Sequence, residues 1–356
     1  MGDDVLVKPD TEWFSLEPEK YLLRPDFQRF QEISGVNFRD LLSIDPDVIR
    51  DAQERLARKC KFINEMRSNH AGPWMPIMYY TGVTDFASVI PEPIPELDNM
   101  WLRFDMGDSL RRRNIALSQA ILPETIRQLY QDFRRQIRVV NFGSGAGLDT
   151  TRAAVSTKDL VSSVDNYDLN QSALEFGQKM SEYLERLELL EPGLITFHNT
   201  HMARCKNNVD LGVLIGVICS MNDYHAEKLI DTLYDKLNPG GVLVVSSSNY
   251  RMRCEDPLPN FLLQHFGSSE DPMRSWGLNF RTKEKMREAF KRFRQVDIYD
   301  DSNYPGREHL KDKILSGADT LPVVTAGYKI PLSYTMPDQS VLRAQKGYNW
   351  LAVAKK

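Results

Sequence analysis

Three glycines at alternate positions, Gly143, Gly145 and Gly147, follow the apolar run Ile137–Val140 and the pair Asn141-Phe142. A buried parallel strand reads as such a run. Glycines behind it let the main chain turn sharply and approach a ligand where a Cβ would collide. Leu148 then opens a segment of helical pattern, and a helix start supplies unpaired N–H groups suited to a polar or anionic group. Together with Ser144, these residues describe a strand–turn–helix able to cradle a nucleotide-like molecule. Taken alone, they describe an ordinary tight turn equally well.

An acidic residue at the end of the second strand of such a unit can accept both hydroxyls of a ribose, about 20 residues beyond the glycines. Asp165 stands 18 residues and Asp168 21 residues after Gly147. Asp168 is preferred because it lies directly before the next helix, which Asn170 can cap. Three histidines, His198, His201 and His225, raise the question of a metal. Their spacing matches no ligand pattern on one element, so no metal is expected.

The elements that must position these residues follow one another as strand and helix. The second strand falls within Val161–Asp168, and the helix after it buries Ala173, Leu174, Phe176, Met180, Leu184 and Leu187. Leu194–Phe197 is the third strand and Val209–Ile218 the fourth. Asp223 reads as the cap of a helix with Leu229, Ile230, Leu233 and Leu237 on one face. Asn238-Pro239-Gly240-Gly241 ends that helix, and Val242–Val245 is the fifth strand. Thr282 starts a helix carrying Met286, Ala289, Phe290 and Phe293. Gln295–Tyr299 and Asn349–Ala354 are the sixth and seventh strands, with an insertion of about 301–347 between them. An insertion of that length suits a pocket wall or a contact between two copies.

The series G-S-G-A-G, Y-D-L-N-Q-S-A-L-E and L-N-P-G-G-V-L-V-V-S resembles the class I S-adenosylmethionine-dependent methyltransferases over about residues 135–300 and the last strand. The Asn-Pro-Gly-Gly turn speaks for that family over nicotinamide dehydrogenases. The resemblance implies an α/β, Rossmann-like, doubly wound and mostly parallel seven-stranded sheet with an antiparallel C-terminal edge strand. It implies S-adenosylmethionine as cofactor and S-adenosylhomocysteine as product. Gly143, Ser144, Gly145 and Gly147 would line the methionine and ribose portion. Asp168 would hold the ribose hydroxyls, Leu169 would lie beside the adenine, and His201 and Met202 would meet its edge. Gly216 and Val217, late in the fourth strand, would approach the methionine end and the acceptor. Asn141 stands where the family has an acidic residue, and it brings no negative charge toward the sulfonium and amino group.

Methyl transfer from a sulfonium is a direct displacement, so alignment of the reacting atoms is the main requirement. A base is needed where the acceptor carries its proton at neutral pH. Near the end of the fourth strand, His225 and its neighbour Tyr224 are the candidates. The plain alternative makes His225 a first-turn surface residue. A small-molecule acceptor with an oxygen or nitrogen nucleophile is the first expectation. A cofactor-binding module without activity and an aminopropyl transferase are the rivals; for the latter, clustered carboxylates are too sparse.

Residues 1–134 read as a mainly helical N-terminal unit serving as substrate cover or dimer contact, and 135–356 as the cofactor-binding domain. Asp45-Pro46 starts a helix by cap and proline, with Ile49, Ala52, Leu56, Cys60 and Ile63 on one face. Asp108-Ser109 and Pro123 read as the starts of two more helices, carrying Leu110, Ala116 and Ala120, then Ile126, Leu129 and Phe133. Arg111-Arg112-Arg113 reads as a solvated basic face, with an anionic-substrate site as the alternative. His70–Tyr80 suits a pocket lid or interdomain packing, and Glu92–Glu96 an extended connector.

The 356 residues carry a formal charge of −4 with 42% apolar and 26% charged residues. That balance gives no electrostatic reason to expect a nucleic-acid partner. No apolar run is long enough to span a membrane. The N-terminus has neither secretory-signal form nor, with Leu6, the myristoylation pattern. The four cysteines share no metal or disulfide spacing, so reduced thiols and a cytoplasmic setting are expected.

Overall fold

Each apolar run of the central region becomes a strand of one sheet, most deeply buried in the first, fourth and fifth strands. The computed structural model describes residues 22–60 apart from 42 and 44, then 64, 96–102, 105–255 apart from 207, 258, 278–316 and 346–356. The strands are β1 (Ile137–Phe142), β2 (Val161–Asp168), β3 (Ile195–Asn199), β4 (Val209–Leu214), β5 (Leu237–Ser248), β6 (Gln295–Asp300) and β7 (Asn349–Lys355). They form one sheet in the order β3-β2-β1-β4-β5-β7-β6. The pairs from β3 to β5 are parallel, while β7 runs antiparallel to both β5 and β6. The antiparallel C-terminal strand thus sits second from the edge, with β6 outermost.

Successive side chains serve opposite faces. Val139, Val164, Leu211, Val213 and Val244 pack on one side, and Val140, Phe142, Leu214, Leu243 and Val245 on the other. The main helices are α1 (Pro25–Ser34), α2 (Pro46–Lys59), α3 (Asp105–Ile115), α4 (Leu122–Phe133), α5 (Leu148–Thr157), α6 (Gln171–Arg186), α7 (Asp223–Lys236), α8 (Lys283–Glu288) and α9 (Arg307–Leu315). Leu117, Leu122, Ile126 and Leu129 of the α3–α4 region share the core of the first face with Ala153, Phe176 and Met180. Ala226, Ile230, Leu233, Phe290 and Phe293 cover the second face.

Several local expectations change. The starts read at Asp108 and Pro123 belong to one continuous helical run, because a π-helical turn, Ala116–Ile121, joins α3 to α4. Pro123 has no N–H and removes one rung of the ladder, and the wide turn directly precedes it. Asn238–Gly241 lies within β5 rather than before it. The pairing shifts between Val209↔Leu237 and Leu211↔Val242, so these residues form a bulge. β4 ends at Leu214, which leaves Gly216 and Val217 in the turn beyond it. Leu187 caps α6 and is 43% exposed rather than inward.

The Arg111–Arg113 run is not a solvated face, since all three residues are buried. Arg111 pairs with Asp108. Arg112 donates to Asp301 Oδ2 at 3.3 Å and to the Lys346 carbonyl at 3.1 Å. Asp301 also accepts from Ser109 Oγ (2.9 Å) and from the amides of Tyr348 and Asn349. Burial pushes the Asp301 carboxyl up, against the pull of Arg112 and these donors. The clasp ties α3 to the β7 side of the sheet.

His70–Tyr80, Ile63, nearly all of the Glu92–Glu96 connector and most of the insertion at 301–347 lie outside the described residues. Among the described residues, no helix is long and apolar enough to cross a membrane.

Candidate active site

The glycine turn is built by its neighbours. The amides of Gly143 and Ser144 donate to the Tyr167 carbonyl at 2.8 and 3.0 Å, which fastens the end of β1 to the end of β2. Ser144 Oγ donates to the Gly145 carbonyl at 3.2 Å. The Gly145 amide donates to Asp168 Oδ2 at 2.7 Å, and Asp168 Oδ1 accepts from the Asn170 amide at 2.8 Å. One carboxylate therefore orders both the turn and the start of α6, whose cap is Asn170 through Ala173 N. Asp168 remains half-buried, with lone pairs left for further donors.

Two of the glycines are required by close approach. A Cβ on Gly143 would lie 2.6 Å from Val217 Cγ2 and 3.5 Å from Met202 Cε. One on Gly147 would lie 2.6 Å from Asn166 Oδ1. Above Gly145 there is open space, on the side from which a ligand can come. Gly143, Val217 and Met202 thus converge, as do Gly145 and Asp168. Leu169 is 64% exposed beside the Asn199–Met202 turn, and its carbonyl accepts from Asn199 Nδ2 at 3.2 Å. His201 accepts from the Ala203 amide through Nδ1 at 3.1 Å, so it shapes that turn.

Asn141 lies under the turn, 1% exposed. Its Nδ2 reaches Thr150 Oγ1 and Asn166 Oδ1, each at 3.2 Å. Its Oδ1 is buried with no hydrogen-bond partner among the described residues. Thr150 donates onward to the Gly147 carbonyl at 3.1 Å. The neutral amide fits here as a donor linking the turn, β2 and α5.

The other acid of the pair serves a different network. Asp165 accepts from Thr196 Oγ1 at 2.9 Å, from Arg138 Nε at 3.1 Å, and lies 3.3 Å from His198 Nε2. It holds β1, β2 and β3 together away from the glycine turn. His198 stacks on Tyr167 with ring centroids 4.5 Å apart. No group of three metal-ligating side chains occurs among the described residues.

Beyond β4, Gly216 donates to Ser246 Oγ at 3.0 Å. A Cβ on Gly216 would stand 3.7 Å from both terminal nitrogens of Arg113. Arg113 brings a buried positive charge from α3 to this end of the sheet, facing Asp149 in the first turn of α5. Asn114 hydrogen-bonds the same Asp149. Burial raises the Asp149 carboxyl, while Arg113 and Asn114 lower it.

Asn222, rather than Asp223, caps α7, accepting from the His225 amide at 2.9 Å. Asp223 instead meets Arg281 Nε at 3.0 Å. Arg281 is 2% exposed and its other nitrogens reach the carbonyls of Ile218 (2.8 Å) and Met221 (2.6 Å) and Ser247 Oγ (3.1 Å). It therefore fixes the turn after β4 against the end of β5. Tyr224 and His225 are exposed. Their rings meet edge to face at 5.4 Å, and Lys228 Nζ lies 4.4 Å over Tyr224. Their contacts are with each other and with α7, not with the glycine turn.

Asn166 and Arg281 do not stand out as site residues in the sequence, and Arg113 enters only through the alternative reading of the Arg111–Arg113 run as an anionic-substrate site. Of the first two, only Asn166 has a signal, standing two positions before Asp168 and so on the same face of β2. Arg113 and Arg281 come from distant segments, which spacing does not relate.

The sheet has the Rossmann-like, doubly wound form, parallel from β3 to β5 and antiparallel at β7, that the resemblance implies. Comparison of the whole structure finds a possible exported protein from Bordetella parapertussis at 14% identity, covering 95% of this chain and 98% of that one with a TM-score of 0.51. Magnesium protoporphyrin IX methyltransferase (ChlM) from Synechocystis PCC 6803, with bound SAH, is 10% identical; 82% of this chain and 96% of that one are covered, at a TM-score of 0.45. N-methyltransferase NodS from Bradyrhizobium japonicum WM9 is 12% identical over 66% of this chain and 94% of that one, at 0.37. No family model and no curated protein sequence matches the chain.

Proposed function

We propose that the chain is a methyltransferase that binds S-adenosylmethionine at the Gly143–Gly147 turn and methylates a small molecule through an oxygen or nitrogen atom. The observation that carries this reading is the Asp168–Gly145 hydrogen bond. It sets a half-buried carboxylate beside an open glycine turn at the carboxyl ends of β1 and β2, and ligands of open α/β sheets bind beyond those ends. Asp168 would hold ribose hydroxyls, with Leu169 beneath the adenine and His201 and Met202 at its edge. Gly143, Ser144, Gly147, Gly216 and Val217 would line the methionine portion, over Asn141. When bound, the cofactor supplies an activated methyl group. The chain's own residues orient the acceptor and exclude water.

In this reading Arg281 positions the turn after β4, and His225, with Tyr224 beside it, takes a proton from an acceptor seated over the start of α7. A general base contributes roughly 10²–10⁴-fold. His225→Ala should slow turnover on that scale with S-adenosylhomocysteine affinity unchanged; a change within about threefold removes His225 as the base. The reading as a whole is tested by following S-adenosylhomocysteine release over a panel of phenols, amines and carboxylic acids. Acceptor-dependent release supports it. Tight cofactor binding with no release for any acceptor favours a cofactor-binding module, the reading to which the uncharged Asn141 points.

A further inference from the structure

A cleft of about 880 Å³ lies between the π-helical turn Ala116–Ile121, α4, α5, α9 and the strands β5, β6 and β7. Its size is that of a small-molecule site, roughly 300–1,000 Å³. It is separate from the glycine turn. The sheet residues that line it, among them Val242, Gln295 and Lys355, belong to the middle of β5, the start of β6 and the end of β7. With Asp297, Tyr299 and Val353 they belong to the β5-β7-β6 side of the sheet, two or more strands from β1 and its glycine turn.

Two features mark it as more than a packing gap. Its wall is a π-helical turn, a form that is rare and concentrates at functional sites. On that turn, Ser118 is 1% exposed with its hydroxyl unpaired among the described residues. Both amide atoms of Gln119 are likewise buried and unpaired, although Gln119 itself is only half-buried. A buried amide without partners carries its desolvation cost uncompensated. Its terminal torsion is broad, so a rotation turns the amide into the cleft, where a ligand can pair it.

The lining indicates the ligand's chemistry. Four positive and three negative side chains line the cleft, and two ion pairs, Arg127–Glu124 and Lys355–Asp132, neutralise part of that charge. A strongly charged ligand gains little there. Val155, Ile121 and Leu310 offer apolar wall and Tyr299 an aromatic ring. The Gln119 amide carries a donor beside an acceptor, the complement of a planar group with the same pair reversed.

We propose that this cleft is a second binding site, for an uncharged planar heterocycle with adjacent hydrogen-bond donor and acceptor, such as a purine base or a ring carboxamide. The inference is independent of the methyltransferase reading. It is tested by titrating hypoxanthine and nicotinamide into the full chain by calorimetry, with and without saturating S-adenosylhomocysteine. The expected result is saturable binding of at least one probe, unaffected by S-adenosylhomocysteine, about tenfold weaker in Gln119→Leu and abolished by Val155→Trp. Ser156→Trp fills the same cleft from an exposed position and serves if Val155→Trp fails to fold. Absence of binding by both probes up to about 10 mM, displacement by S-adenosylhomocysteine, or equal affinity in Gln119→Leu and the filled variant would overturn it.

Discussion

Asn141 Nδ2 is a donor between two acceptors, Thr150 Oγ1 and Asn166 Oδ1, and an ionised carboxylate supplies no donor there. Asn141→Asp would remove the donor and set a charge in a buried position against Asn166 Oδ1. An acid at position 141 should therefore lower stability, by about 1–3 kcal/mol, as read by denaturant unfolding. A gain in stability would show that the amide network is not what holds the turn. Arg281 likewise acts as a donor set, serving several acceptors. Arg281→Met leaves the Ile218 and Met221 carbonyls without it and should cost roughly 1–3 kcal/mol. Exchange of the amides over 218–222 should rise more than exchange in β1. At this scale the sequence revealed residue types better than partners. The glycines and Asp168 were readable from their spacing, whereas Asn141's role depends on Asn166 and Thr150, which only the folded turn brings beneath it.

Elements are joined by buried charges that periodicity could not place. The Arg112–Asp301 pair is almost wholly buried, at 7% and 0% side-chain exposure, and it connects segments 189 residues apart. Removing one partner strands the other in the interior, so Arg112→Met should cost about 3–5 kcal/mol in an unfolding titration. A loss below about 1 kcal/mol would mean that α3 is held by packing alone. The three arginines read as a surface face because adjacent helical positions point in different directions; here every direction meets the body of the protein. The bulge in β5 shows a similar limit. Asn-Pro-Gly-Gly has turn composition, yet Asn238 Nδ2 donates to Asp210 Oδ1 at 2.6 Å. Asp210 also accepts from Arg135 Nη1 and Nη2, both at 2.7 Å, and from the Arg138 amide at 3.0 Å. Burial raises the Asp210 carboxyl, but these donors outweigh it and hold it below the ordinary carboxylate range. A depressed folded value means stability present at neutral pH and lost on acidification, from about pH 5 downward. Urea unfolding of wild type and Asp210→Asn across that range should show a steeper acid loss in wild type. Parallel curves would contradict the assignment.

For the molecule as a whole, the alternation of apolar runs and amphipathic helices made the doubly wound sheet readable, because strands buried on both faces leave continuous apolar segments. The strand order is not visible in such a pattern; the resemblance implied a mostly parallel sheet with an antiparallel C-terminal strand at its edge, and β7 is antiparallel but lies one strand inside that edge. The boundary drawn at residue 134 rests on the helical pattern before it and on where the resemblance begins, and the α3–α4 run packs into the core of the sheet's first face. The proposed function rests on the geometry of one turn, since the solved structures reported above are 10–14% identical and speak to fold. The measurement that tests the central claim most directly is calorimetric titration of S-adenosylmethionine and S-adenosylhomocysteine into wild type and Asp168→Ala. Asp168 orders the turn and would carry the ribose. Saturable binding to wild type, weakened at least about 100-fold in the folded variant, is the predicted result. Folded wild-type protein that binds neither ligand, or an Asp168→Ala variant that binds as well as wild type, would contradict the account.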